Sequence, residues 1–308
     1  VFRANRVRSA FAYLMMKQEV PHLAISSYVI QSRHIFNLFL SIATTFLPFA
    51  LQAQSPDSQL QRNDGMIYLL GEVHDNPNSH NLRLDLVMQL IGKKQKPVVA
   101  MEQFARENQQ ALDLALTSCQ DVDCVLAKVA TPGWNWLFYK PYVQLAVDKK
   151  ITLVAANLSN TDVRKVMTQG FSSVYSRLEI AEYKLDQLPM HLLNEQRKSI
   201  QEGHCNMLPI QAIDPMVRGQ IARDVWMANV VNNLKNQTVI LIAGNGHVRK
   251  DAGVFQWLTR ENQLKAQVHG YVEQAEKSDA DWYDHVHVIP VIEREDPCRV
   301  FERNRSKK

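Results

Sequence analysis

Four short apolar runs rich in β-branched residues punctuate the chain: MIYLLGE ending at Glu72, PVVAMEQ ending at Gln103, ITLVAANL ending at Leu158 and TVILIAG ending at Gly244. Their shortness and unbroken apolar character read as strands buried on both faces. Between them, apolar residues recur at helical spacing over Asn81 to Ile91, Glu107 to Leu116, Tyr142 to Lys149 and Pro215 to Leu234. Strand alternating with helix predicts an α/β fold: a mainly parallel sheet with helices on both faces. Two further runs, Ala266 to Val272 and Val286 to Ile292, are expected to extend the sheet at an edge. The stretch Arg177 to His204 is helical in composition and longer than a crossover needs, so it reads as an inserted helical region.

The 308 residues do not all share this pattern. From Arg33 the chain reads RHIFNLFLSIATTFLPFALQAQ, a positive charge followed by an apolar stretch ending in small residues. That is the layout of a secretory signal, here cleaved near Ala53. Asn37, Ser41, Thr44, Thr45 and Pro48 interrupt the stretch, whereas a membrane-spanning helix needs about 20 mainly apolar residues. The expected organisation is a leader and signal over residues 1–53, a polar exposed segment over 54–65, a folded domain over 66–293 and a basic tail over 294–308.

Charge and cysteine usage sharpen this division. The leader carries Arg3, Arg6, Arg8, Lys17 and Arg33 against Glu19, which accounts for the whole formal net charge of +4 and leaves the rest neutral. A neutral body offers no broad attraction to phosphate backbones, which argues against nucleic acid as a partner. All four cysteines, Cys119, Cys124, Cys205 and Cys298, follow the signal, and in an oxidising compartment such as the periplasm they are expected to pair. Three pairings are open; Cys119 with Cys124 is the easiest, and Cys205 with Cys298 would then close a long loop.

In a doubly wound sheet, ligands bind beyond the carboxyl ends of the strands. Here Glu72, His74 and His80 follow the first strand, Glu102 and Gln103 end the second, Asn157 ends the third, and Asn245 and His247 lie on a glycine-flanked turn after the fourth. Glu72, His74 and His247 form a set able to hold a divalent metal. With Glu102 the same residues could act as general acid and base, and the plainer alternative is a hydrogen-bonded core cluster. The segment GWNWLFYKPY, residues 133–142, concentrates Trp134, Trp136, Phe138, Tyr139 and Tyr142, which suits either a pocket for a flat apolar ligand or core packing. Tyrosine is one of the axial ligands of haem iron; Tyr139 and Tyr142 are the leading candidates, with Tyr175 and Tyr183 behind. In EGHCNMLP and the helix after it, His204 and Arg223 are further candidates. Arg223 could neutralise a haem propionate or form a structural ion pair with Glu72 or Asp224.

The motifs LLGEVHDNPNSH, VVAMEQF, GWNW, GHCNMLP, QIARDVWMA, LIAGNGHVRKDAG and DWYDHVHVIP occur in that order over roughly residues 66–290. Together they resemble the ChaN family of haem-binding, iron-regulated proteins. The resemblance implies export, a role in haem or iron uptake alongside an outer-membrane haem uptake system, and haem held by a homodimer with a tyrosine as axial ligand. Tyr139, Tyr142, His204 and Arg223 are the residues expected to serve haem. ChaN-like proteins are often lipoproteins, but Gln54 stands here where a lipid-bearing cysteine would be required. The GxxH pattern, seen as GEVH and GNGH, also resembles the Tiki metal-dependent proteases and, more distantly, the erythromycin esterases. That resemblance implies an alternative, a hydrolase in which Glu72, His74, Glu102 and His247 bind a divalent metal or activate water.

Overall fold

The computed structural model describes residues 65–92, 96–296, 298, 299 and 303. The signal expected over residues 1–53, nearly all of the polar segment after it and most of the last dozen residues lie outside these. Six strands, β1 (Ile67–Leu70), β2 (Val98–Ala105), β3 (Leu153–Asn157), β4 (Val239–Ile242), β5 (Ala266–Val272) and β6 (His285–Val288), form one sheet. Their order is β3-β2-β4-β1-β5-β6, and every neighbouring pair is parallel.

Successive strand residues alternate between two cores. Ile67, Leu69, Val239 and Leu241 face one side, and Tyr68, Leu70, Ile240 and Ile242 the other. The second side is covered by α1 (Pro77–Gly92), α2 (Gln109–Ser118), α3 (Val122–Val129) and α4 (Trp136–Lys149), which contribute Val87, Leu112, Val125 and Val143. The first side is covered by α5 (Asn160–Gln169), α6 (Arg177–Glu182), α7 (Met190–Gly203) and α8 (Ile210–Asn233), through Val166, Leu192, Ile200 and Ile221 among others. Apolar cover on both faces is the arrangement that continuous apolar strands require. The inserted helical region is α6 with α7, and a capping box of Ser176 and Glu179 opens it, satisfying two otherwise orphaned backbone donors.

The chain leaves β1 for β2 and β3, returns to insert β4 between β1 and β2, then continues outward to β5 and β6. This reversal opens a crevice beyond the carboxyl ends of β1, β4 and β2. Two helices begin earlier than their spacing suggested: α4 at Trp136 and α8 at Ile210, each with an internal proline, Pro141 or Pro215. A proline removes one backbone bond from a helix, and here the burial of Tyr139, Tyr142 and Val143, or of Ile213 and Val217, carries the helix through it. Conversely, β6 stops at Val288 rather than Ile292. The Ile289 amide still donates to the Val272 carbonyl at 2.9 Å, but Pro290 has no N–H with which to extend the ladder.

Both disulfides form, Cys119 with Cys124 and Cys205 with Cys298. Arg294 pairs with Asp75 at 2.9 Å and Glu273 at 2.6 Å, which ties the beginning of the basic tail to the body. No helix among the described residues is long and apolar enough to cross a membrane.

Candidate functional site at the carboxyl ends of the strands

Glu72 lies two residues beyond β1 and is 2% exposed. One carboxylate oxygen accepts from the Tyr139 hydroxyl at 2.6 Å, from His74 Nδ1 at 2.6 Å and from Gln103 Nε2 at 3.4 Å. The other accepts from Nη1 of Arg83, which has no exposed surface. Arg83 also donates through Nε to the Tyr142 hydroxyl at 3.0 Å and through Nη2 to His80 Nδ1 at 2.9 Å. That leaves His80 Nε2 to carry the ring proton and donate it to the His74 carbonyl at 3.0 Å, so the two neighbours select one neutral tautomer. Burial pushes the Glu72 carboxyl up, but Arg83, His74 and His80 outweigh it and hold it well below the usual carboxylate range. For Tyr139, burial and the adjacent Glu72 charge act together and push the phenol far above its ordinary value.

A second pair forms where α8 meets the turn after β4. Asp224 of α8 accepts from His247 Nδ1 at 2.6 Å, and Gln196 of α7 donates to its other oxygen at 3.2 Å. His247 Nε2 faces Glu102 at 3.6 Å, and the other Glu102 oxygen accepts the Gly244 amide at 2.8 Å. Burial disfavours a charged His247, yet Glu102 and Asp224 on either side raise it well above its ordinary value. His74 follows the same logic more weakly: burial lowers it, while its bond to Glu72 and the charges of Glu102 and Glu72 raise it on balance.

Two glycines make the crossing possible. A Cβ at Gly71 would collide with the Asn245 side-chain oxygen, which accepts from the Tyr271 amide at 3.0 Å while Asn245 Nδ2 donates to the Tyr271 carbonyl at 2.5 Å. A Cβ at Gly244 would lie 2.9 Å from His74 Nε2. Glycine is therefore required at both positions to let the β1 and β4 turns approach.

Trp134 stands between two clefts at this rim. One, of about 490 Å³, is walled by His74, Trp134, Phe138 and Tyr139. The other, of about 470 Å³, is polar, with Glu102, Gln103, Thr131, Asn157 and Asn160 along it. Trp134 presents its edge to His74 with ring centres 5.2 Å apart, and Phe138 stacks on His80 at 4.5 Å. The aromatic segment thus supplies pocket wall through Trp134 and Phe138, and core through Tyr142.

Glu72, His74, Glu102 and His247 all gather at the rim, as their positions after the strands implied. The set does not make the divalent-metal centre expected of Glu72, His74 and His247: among the described residues no three His, Cys, Asp or Glu side chains stand where they could hold a metal ion. Glu72 is engaged by Arg83, Tyr139 and His74, and both ring nitrogens of His247 face carboxylates. Tyr139 and Tyr142 are 1% and 2% exposed, with their hydroxyls donated to Glu72 and to the His80 carbonyl. Tyr175 and Tyr183 are also buried, bonded to the Ala222 carbonyl and Asn229. All four hydroxyls are engaged in hydrogen bonds within the protein. His204 sits at the end of α7, its ring on the Ile200 carbonyl at 2.7 Å. Arg223 pairs with neither Glu72 nor Asp224; it donates to Asn157 at 2.6 Å and Asn160 at 2.9 Å beside the polar cleft. Sequence reasoning missed Arg83 and Gln196. Arg83 shares the buried stripe of α1 with His80, Val87 and Leu90, and an arginine on an apolar stripe was the available signal.

Comparison with known proteins places this geometry. The structure is similar to that of "Cofacial heme binding to ChaN of Campylobacter jejuni", with a TM-score of 0.60 at 19% identity, covering 75% of this chain and 91% of that one. Lower similarities are to an erythromycin esterase EreC variant in its open conformation (TM-score 0.40, 13% identity, 70% and 71% coverage) and to the type III effector HopBA1 (0.39, 12%, 76% and 92%). No curated protein sequence matches the chain. The model of one family, described as haem-binding uptake, Tiki superfamily, ChaN, matches residues 60–258. A match over more than half the chain, on a doubly wound sheet with its rim residues gathered at the switch point, assigns the chain to the ChaN family of haem-binding uptake proteins.

Proposed function

We propose that the protein is exported to the periplasm and binds haem there in the service of haem or iron uptake, with an outer-membrane haem uptake system as its partner. The observation that carries this reading is the cleft walled by Trp134 and Phe138, which lies inside the segment matched by the haem-binding uptake family. Aromatic walls around an opening of about 490 Å³ suit a flat apolar ring, since stacking adds to the free energy of burying it. The signal-like layout from Arg33 and the two disulfides support an oxidising compartment, where such bonds persist. Two copies presenting their clefts to one another would hold haems in the cofacial manner named for the Campylobacter jejuni protein.

The test is titration of the purified protein with ferric haem, followed by absorbance, with sedimentation of the same samples. Saturable binding at one haem per chain, accompanied by formation of a dimer, is expected. Absorbance that rises without saturation, as for free haem, would overturn the reading.

A further inference from the structure

The polar cleft of about 470 Å³ beside Trp134 takes no part in the haem-binding reading. Its walls include polar side chains that are themselves buried: Glu102, Gln103 and Asn157 are 6%, 1% and 5% exposed. Such groups are normally matched within the protein, yet here several donors and acceptors are left over. Gln103 turns Nε2 towards Glu72 at 3.4 Å, and its Oε1 has no partner among the described residues. One Glu102 oxygen takes the Gly244 amide at 2.8 Å, while the other makes no hydrogen bond and lies 3.6 Å from His247 Nε2. Asn160 accepts from Arg223 through Oδ1 at 2.9 Å, which holds its amide plane and leaves Nδ2 to donate. The Thr131 hydroxyl donates to the Gln103 carbonyl at 3.1 Å, so its oxygen remains an acceptor.

Charge narrows the ligand. An anion would meet the carboxylates of Glu102 and Glu107, and the Arg223 guanidinium is already bonded to Asn157 and Asn160. A cation would gain little from Glu102, whose charge is countered by His247 and Arg223, both of which it holds towards their charged forms. A neutral molecule rich in hydroxyls fits, because each hydroxyl donates to the Glu102 and Gln103 oxygens or accepts from Asn160. Trp134 adds an aromatic wall against which the apolar face of a small ring can pack.

We propose that this cleft is a saccharide-binding site, in which one pyranose ring packs against Trp134 while its hydroxyls bond Glu102, Gln103, Thr131 and Asn160. The site is independent of haem and is tested without it.

The experiment is saturation-transfer NMR of the haem-free full chain with glucose, galactose, mannose and N-acetylglucosamine. Each is titrated to about 100 mM, far beyond the Kd of about 1 mM expected for so small a ligand. At least one sugar should bind saturably through its ring protons. Asn160→Ala, at an exposed position, and Gln103→Leu should each weaken that binding by about 10-fold. The guanidinium chloride midpoint of Gln103→Leu should be unchanged or raised, because a buried oxygen without a partner is removed. A lowered midpoint with sugar affinity intact would show that Gln103 serves the fold alone and would overturn the site as drawn. So would saturable binding by none of the four sugars, affinity unaltered in Asn160→Ala, or saturation by agmatine, an organic cation, in place of the sugars.

Discussion

A guanidinium without exposed surface, Arg83, is tolerated in the interior because Tyr142, the Gly71 carbonyl, Glu72 and His80 between them accept from all of its nitrogens. Burial of such an ion costs several kcal/mol unless the partners are complete. Arg83→Ala would leave the Glu72 carboxylate buried without its principal counter-charge, and we expect a loss of about 3–5 kcal/mol, read as a lowered guanidinium chloride midpoint. Adding Glu72→Gln to that variant should recover part of the loss, because the stranded charge is gone; strictly additive losses would show that Arg83 acts through packing alone. At this scale the sequence was partly legible. Glu72, His74, Glu102 and His247 could be placed at strand ends from the apolar runs before them, whereas the burial of Tyr139 and Tyr142 could not be read from an aromatic-rich segment. Trp134 and Tyr139 are five residues apart, yet helical winding sends the tyrosine hydroxyl inward to Glu72 and leaves the tryptophan at the rim.

Among the elements, the β5–β6 edge carries a titratable group whose state matters for folding. His269 of β5 lies against His285 and His287 of β6, with ring centres 4.4 Å and 5.3 Å apart and one ring-to-ring hydrogen bond of 3.0 Å. Burial, helped by these two neighbours and opposed by Asp284, pushes His269 down to about 4. The unfolded chain therefore takes up this proton at higher pH than the folded one. The stabilisation is complete above about pH 6.5 and is lost as pH falls towards about 4, in total on the order of 3 kcal/mol. Denaturant midpoints measured between pH 7 and pH 4 should show that slope, and His269→Phe should flatten it; an equal slope in the variant would place the effect elsewhere. The two edge strands were recognisable as apolar runs, but the histidine stack was not, since it depends on the register that sets His269 beside His285.

Across the whole molecule, the parallel sheet and its two helical layers were legible because continuous apolar strands have few other ways to be buried. The insertion of β4 between β1 and β2 was not, because the order of strands in space leaves no mark on local periodicity. The two disulfides act over different lengths of chain, with separations of 5 and 93 residues. On the loop-entropy model, removing the first by Cys119→Ser with Cys124→Ser should cost about 2 kcal/mol, and removing the second by Cys205→Ser with Cys298→Ser about 4–5 kcal/mol. Denaturant unfolding of the two double variants checks the order, and equal losses would contradict it. The longer bridge has one more effect. It closes a covalent ring that contains α8, β4, β5 and β6, and β1 is seated between two strands of that ring. A protease that cuts the connection between β4 and β5 therefore releases no fragment: the molecule with a severed backbone remains a single covalent species, and parts into two pieces only when a thiol reductant opens the bridge.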